Sequence, residues 1–471
     1  MRFSRLAPVL ALAIPLAACA RARHGEPREA APPPHSAPPV PAPEPAPTPA
    51  APSGPLTLER AITLAFGRNP NLRAAAERIE AARARAGEAA SAFYPQVAVR
   101  SSYVRTDNPA QAFGMIVSQR RFSPTLDVND PDITENYRSE VVGYINLFRG
   151  GQDWANESAA IHGARATALE RSAIRNALGE AVVSTWYAIL GAREQVEVAR
   201  ASVQAVESEL AEARKRFEAG ALLKSDVLSL EVRLAAAREG HVRARNAVQT
   251  AVEGLRLLLA AASGETLELD PRPPAEDAGP AATLQEALGR AARERPEIQA
   301  AAALAESRRL EMEAERAAWL PRVDAFGGWG YDHYTYEWDH DQDNWTLGVV
   351  VEMDVFNGFR TVERARAAER RLGEARALQD KVRLEIEGEV KTAQLALEDA
   401  RERVGVTEKS LAAAEEALRL VGEQYKAGTA TVTRYLEAEA ALADARSRAI
   451  AARYDVRRAE GRMKKAVGFW K

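Results

Sequence analysis

The 471-residue sequence contains one cysteine, Cys19, which excludes an intrachain disulfide. It has no strong charge of either sign, with 63 basic residues against 66 acidic ones and a formal net charge of −3. Nothing in that balance recommends a nucleic-acid partner. It also lacks a nucleophile motif, a phosphate loop and an HExxH helix, so no enzymatic activity, cofactor or resident metal is expected. Between Gln152 and about Glu218 no strong helix breaker appears, only single glycines such as Gly163, Gly179 and Gly191. Such a run gives a helix of ~100 Å at about 1.5 Å per residue, a length that soluble globular domains rarely use.

What is present is periodic. Val203, Val206, Leu210, Ala213 and Phe217 follow one another at steps of three and four, as do Val227, Leu230, Leu234, Ala237 and His241. That spacing puts each set on one stripe of a coiled-coil helix. Between them Gly220 supplies a helix stop, and Ser225 or Asp226 is placed to cap the next helix. The stretch predicts two antiparallel helices joined by a tight turn. It occurs twice: Gly220 matches Gly428, Phe217 matches Tyr425, Val227 matches Tyr435 and Leu234 matches Leu442, all 208 residues apart. A duplicated hairpin in one heptad register marks an internal repeat.

The upstream halves are duplicated as well. Leu58 matches Leu284, Pro70 matches Pro296 and Pro95 matches Pro321. Each second proline ends a helical stretch and opens one of period two. Val97, Val99 and Tyr103 alternate with Gln96, Arg100 and Ser102, and Trp345, Leu347, Val349 and Val351 alternate with Thr346, Gly348 and Glu352. Four strands are expected, at about 96–106, 137–148, 322–334 and 344–356. A soluble sandwich also alternates. Charged residues on one face and the aromatic cluster Trp329, Tyr331, Tyr334, Tyr336, Trp338 and Trp345 fit a transmembrane barrel better. Four strands cannot close a barrel alone, and open edges in lipid cost several kcal/mol per unpaired group, so several chains must share one. The segment from about Thr106 to Asn136 is read as a loop longer than its counterpart.

At the N-terminus, Arg2 and Arg5 precede an apolar run from Leu6 to Leu16, the layout of a secretory signal. Leu16-Ala17-Ala18-Cys19 resembles the lipobox of bacterial lipoproteins, which implies cleavage and acylation of Cys19. The alternative is an ordinary signal peptide with Cys19 incidental. The expected organisation is a signal peptide at 1–18, an acylated N-terminus and proline- and alanine-rich tether at 19–55, a first repeat at 56–262, a connection at 263–282 and a second repeat at 283–471.

From about Leu56 to Gly468, the Asn-Pro and Tyr-Pro punctuation, the Leu147-Phe148-x-Gly-Gly run and the Phe217-x-Ala-Gly…Ser-Asp-Val-Leu hairpin resemble the TolC-like outer-membrane efflux proteins. The lipobox is similar to that of the family's lipoprotein branch. The resemblance implies an α+β membrane protein: a homotrimer with a 12-stranded barrel in the outer membrane, four strands per chain, continued by a long periplasmic α-helical barrel in two tandem repeats. Its implied role is the passive outer-membrane conduit of a tripartite efflux or type I secretion system, fed by a periplasmic adaptor and an inner-membrane pump. The second hairpin would line the periplasmic aperture through Arg434 and Glu437, with Asp226 either a helix cap or a partner of Arg434. Family members usually carry acids at both second-hairpin positions, and Arg434 departs from that. Gly220, Ala221, Leu222, Gly428 and Thr429 would form the adaptor-docking tip. The competing reading is a lipid-anchored periplasmic coiled-coil scaffold with no pore.

Two further signals carry a bland reading. Asp332, His333, Glu337, Asp339, His340, Asp341 and Asp343 have metal-binding side chains without diagnostic spacing and read as a solvated loop. His241 reads as a packed core histidine, and His162 stands alone on a long helix.

Overall fold

A computed structural model describes residues 55–262, 265, 267–270, 283–336 and 342–471. Cys19, the signal segment and the tether up to residue 54 lie outside the described residues, as do Glu337, Trp338, Asp339, His340 and Asp341. No described helix is long and apolar enough to cross a membrane.

The first repeat runs α1 (Leu58–Arg68), α2 (Pro70–Ala90), β1 (Gln96–Thr106), α3 (Pro109–Ser118), β2 (Thr134–Phe148), α4 (Gln152–Glu218) and α5 (Lys224–Leu259). The second runs α6 (Leu284–Glu294), α7 (Pro296–Ala317), β3 (Arg322–His333), β4 (Asp343–Glu352), α8 (Arg360–Lys426) and α9 (Val432–Ala466). The prolines act as the sequence suggests. Pro70 and Pro296 sit in the first turns of α2 and α7, where the missing N–H costs nothing. Thr283 and Glu286 form a reciprocal capping box at the start of α6.

α4 and α8 are each 67 residues long and run the length of the helical region. Towards the strands the packed row is α2–α4–α7–α8; towards the turns it is α5–α4–α9–α8. Midway, α1 packs on α4 and α5 around Trp186, Ile189, Leu255 and Leu259. There α6 packs on α8 and α9 around Val390, Leu397, Ala459 and Met463. Leu56 forms a parallel bridge with Leu269, which ties the connection between repeats to the start of α1.

The strands form one antiparallel sheet in the order β1-β2-β3-β4. β1 and β4 are its free edges. Three details differ from the sequence reading. β2 begins at Thr134 rather than 137, because its first residues pair with the end of β1, Thr134 opposite Thr106. β4 ends at Glu352 rather than 356, because Glu352 already faces Arg322, the first residue of β3, and no partner remains beyond it. The long connection after β1 is not only a loop: α3 lies in it, capped by Asn108, whose side chain accepts from the backbone N–H of Ala110 and Gln111. The signal was the Asn-Pro pair at 108–109, a cap followed by proline at the first helical position.

Candidate functional site

At the far end from the strands the two helical hairpins turn in the same way. Gly220 and Gly428 adopt left-handed φ angles of 76° and 75°. The backbone N–H of Ala221 bonds to the Arg216 carbonyl at 2.8 Å, and that of Thr429 to the Gln424 carbonyl at 2.9 Å. This is the Schellman closure, and only glycine takes its left-handed position without steric cost. Gly220, Ala221, Gly428 and Thr429 are exposed at the turns, while Leu222 tucks against the hydrophobic cluster shared by both hairpins. The Thr429 hydroxyl donates to the Gln424 carbonyl at 3.0 Å.

The helix starts beyond the turns differ. Thr431 caps α9, its hydroxyl accepting from the Arg434 backbone N–H. α5 has Leu223 at the cap position with no side-chain bond. Ser225 and Asp226 therefore do not cap α5. The helix starts at Lys224, which places both inside its first turn, where the Asp226 charge favours the positive end of the helix dipole. Arg434 and Glu437 are exposed on α9, and Asp226 is half-buried in the first turn of α5.

The acid held at the heart of the tip is Glu439, which sequence reasoning passed over. It is 5% exposed. One of its oxygens accepts from Ser202 Oγ of α4 at 2.6 Å, and the other from Arg233 Nη2 of α5 at 2.6 Å. One carboxylate on α9 thus grips both helices of the first hairpin. Removing one partner of such a buried pair typically costs about 3–5 kcal/mol, because the other charge is left uncompensated. Nearby, Tyr425 stacks on Tyr435 with ring centroids 5.4 Å apart, and the Arg216 guanidinium lies 5.6 Å from the Tyr425 ring. Tyr425 Oη and Glu209 Oε1 are buried without a hydrogen-bond partner among the described residues. Burial, reinforced by the Glu209 charge, pushes the Tyr425 phenol up to about 12. Glu439 was hidden in the sequence because Glu231, at its register position in the first repeat, is an ordinary surface acid paired with Arg214 at 2.8 Å.

The sheet has two unlike faces. Val97, Val99, Tyr103, Val141, Trp329, Trp345, Leu347, Val349 and Val351 share one by register and are exposed, Trp345 to 75%. On that face Ser101 and Ser139 satisfy each other at 3.1 Å, and Arg105 and Glu135, at the end remote from the helices, form an ion pair at 3.6 Å. A contiguous exposed patch of this kind needs an apolar environment. The other face carries Arg100, Arg138, Glu140 and Asp332 towards the end remote from the helices. Its middle is apolar, through Val142, Tyr144, Phe326 and Val350, which the sequence reading of a charged face did not anticipate. Asp332, 2% exposed, accepts from Asn136, Arg138 and Asn344. His333 Nδ1 bonds within its own turn to Thr335. The three described members of this acidic and histidine cluster are therefore not a solvated loop, because the strands carry them: Asp332 and His333 end β3 and are buried, and Asp343 opens β4 and bonds Arg120 and Trp329 Nε1.

Residues 61–261 and 287–469 match the family model described as outer membrane efflux protein. Protein CyaE of Bordetella pertussis is 26% identical over 404 residues, covering 83% of this chain and 80% of that protein. Alkaline protease secretion protein AprF of Pseudomonas aeruginosa is 25% identical over 300 residues, covering 61% of this chain and 60% of that protein. Among solved structures, a membrane protein from Pseudomonas aeruginosa superposes with a TM-score of 0.77 at 23% identity, covering 87% of this chain and 90% of that one. The Campylobacter jejuni CmeC outer membrane channel superposes with a TM-score of 0.76 at 16% identity, covering 87% and 85%.

Proposed function

Since this chain belongs to the outer membrane efflux protein family and forms an outer-membrane channel of an efflux or type I secretion system, we propose that three copies close one continuous conduit, with the α4–α5 and α8–α9 turns as its periplasmic aperture. The observation that carries the closure is that every level of the protomer ends in two open edges. The sheet ends in β1 and β4. The helical row ends in α2 and α8 near the strands, and in α5 and α8 near the turns. The free faces are apolar where water would disfavour it: Leu228, Val232, Val242 and Leu257 on α5, and Leu384, Leu395 and Val406 on α8. Pairing β4 with a neighbour's β1, and α8 with a neighbour's α5 or α2, satisfies all of these edges in one ring. A ring also gives lipid a barrel without edges. The apolar sheet face then meets lipid and the charged face lines the bore. A scaffold without a pore leaves that apolar face unexplained.

Within this reading a periplasmic adaptor docks at the turns formed by Gly220, Ala221, Leu222, Gly428 and Thr429, and passes cargo from an inner-membrane pump. The aperture is lined by Arg434 and Glu437, with Asp226 beside it, and is held by the Glu439 clamp. The protein supplies a path and no chemistry. Acylation of Cys19 after removal of residues 1–18 adds a lipid anchor, with residues 19–55 as its tether. The name of AprF records secretion of a protease, which favours a polypeptide cargo as a second reading. The mass of the detergent-solubilised chain tests the ring. A trimer is expected, and Leu395→Glu on the free face of α8 should shift it to monomer. A monomeric parent chain would refute the closure.

A further inference from the structure

The segment between β1 and β2 does not stand away from the sheet. It folds back across one face. Gln119, fully buried, donates to the Glu135 carbonyl at 2.7 Å and to Asn136 Oδ1 at 2.9 Å. Asn344 Nδ2 donates to the Ser118 carbonyl at 3.3 Å and to Asp332 at 3.1 Å. Arg120 reaches the Asp343 carbonyl at 2.9 Å. By register Asn136, Asp332 and Asn344 share the face that carries Arg138 and Glu140. The strap from α3 to Arg120 therefore crosses β2, β3 and β4 on the charged face, at the end remote from the helices. Within the strap Ala112 and Ile116 of α3 are buried, and α3 packs on β2. Arg120 and Asp132, near the two ends of the crossing, hold left-handed φ angles of 55° and 61° although neither is glycine. Such strain persists only where surrounding contacts impose it.

We propose that this strap is the size-selecting element of the conduit. The proposal rests on the reading that the charged face lines the bore. In a closed ring each chain lays its own strap across the inner wall, from its β2 to its β4 edge, so three straps collar the outer mouth. A barrel of about twelve strands falls between roughly eight-stranded barrels filled by their own side chains and ~16-stranded ones with a wide aqueous channel. A helix about 10 Å across on each third of the wall takes up much of that bore. Gln119, Asn136, Asp332 and Asn344 are positioning residues that hold the strap inward. Solutes small enough to pass the collar leave freely, and larger ones require the strap to swing out.

The test uses the full-length chain in the outer membrane of intact cells, with Thr346→Cys as a reporter. Thr346 is exposed on the charged face, two residues along β4 from Asn344 and so about 7 Å deeper. A membrane-impermeant small maleimide and a bulky maleimide on a polyethylene glycol chain are applied from outside, with Asn129→Cys in the exposed part of the loop as a positive control and the parent chain as blank. With the strap intact, the small reagent is expected to label Thr346→Cys and the bulky one to be excluded. Deleting residues 109–118, or Gln119→Ala or Asn344→Ala where the deletion does not assemble, should raise bulky labelling severalfold relative to small labelling. Equal labelling by both reagents with the strap intact would overturn the proposal and leave the conduit standing. No labelling of Thr346→Cys by either reagent in any strap variant, with the control labelled, would overturn both.

Discussion

The two helical hairpins share a backbone and differ in what they bury. Their turns close with the same glycine, the same φ and the same carbonyl bond. Yet Phe217 in the first is 42% exposed, while Tyr425 at the matching position in the second is 5% exposed. Glu231 makes a surface ion pair with Arg214, and Glu439 at the matching position is enclosed by Ser202 and Arg233. Duplication supplied two equal hairpins. The contact between them made one the holder and the other the held, because their packing cluster draws Tyr425 and Val432 of the second hairpin in among Val206, Leu210, Ala213, Val227, Leu230 and Leu234 of the first. For the aperture proposed above, such inequality would let one hairpin move while the other holds it.

The comparison breaks most sharply at the paired acids. Glu439→Ala strands Arg233 and should loosen the tip by about 3–5 kcal/mol, read as faster amide exchange in α9 between Thr433 and Leu442. Glu231→Ala removes an exposed pair and should cost at most about 1 kcal/mol. Equal effects from the two would mean that the hairpins are energetically alike.

The aromatic positions give the next test. Tyr425→Ala opens a cavity beside Tyr435 and should cost about 3–5 kcal/mol in chemical unfolding, well above Phe217→Ala. Tyr425→Phe keeps the ring and its stacking on Tyr435 and should cost about 1 kcal/mol or less, far below Tyr425→Ala. The smallest contrast is at the caps. Thr431→Ala should cost about 1 kcal/mol of α9 stability, and Leu223→Asp should gain a comparable amount for α5, which has no side-chain cap. Protease sensitivity at the two turns reads both.

The fold was legible where local chemistry governs it. The period of two after Pro95 and Pro321, the unbroken run from Gln152, and the glycines at 220 and 428 each force one backbone outcome. What stayed hidden depends on contacts between distant segments. Glu439 reads like Glu231 until Ser202 and Arg233 converge on it from 237 and 206 residues away. Gln119 looked like part of a loop because the partners that hold it and the neighbouring Ser118, Asn136 of β2 and Asn344 of β4, lie on strands distant in sequence from one another. The expected cap at Ser225 or Asp226 failed for the opposite reason: the left-handed glycine ended one helix so tightly that the next began at Lys224. Arg434 and Glu437 are exposed in the single chain, and in the proposed ring any partners they have come from other copies.

The most direct measurement is single-channel conductance of the purified full-length protein in a planar bilayer, comparing the parent with Glu439→Ala and Glu231→Ala. The account predicts a low or intermittent conductance in the parent, a larger or longer-lived open state with Glu439→Ala, and parental behaviour with Glu231→Ala. Conductance indifferent to Glu439, or equally sensitive to Glu231, would contradict the claim that the second hairpin is the gate and the first its holder.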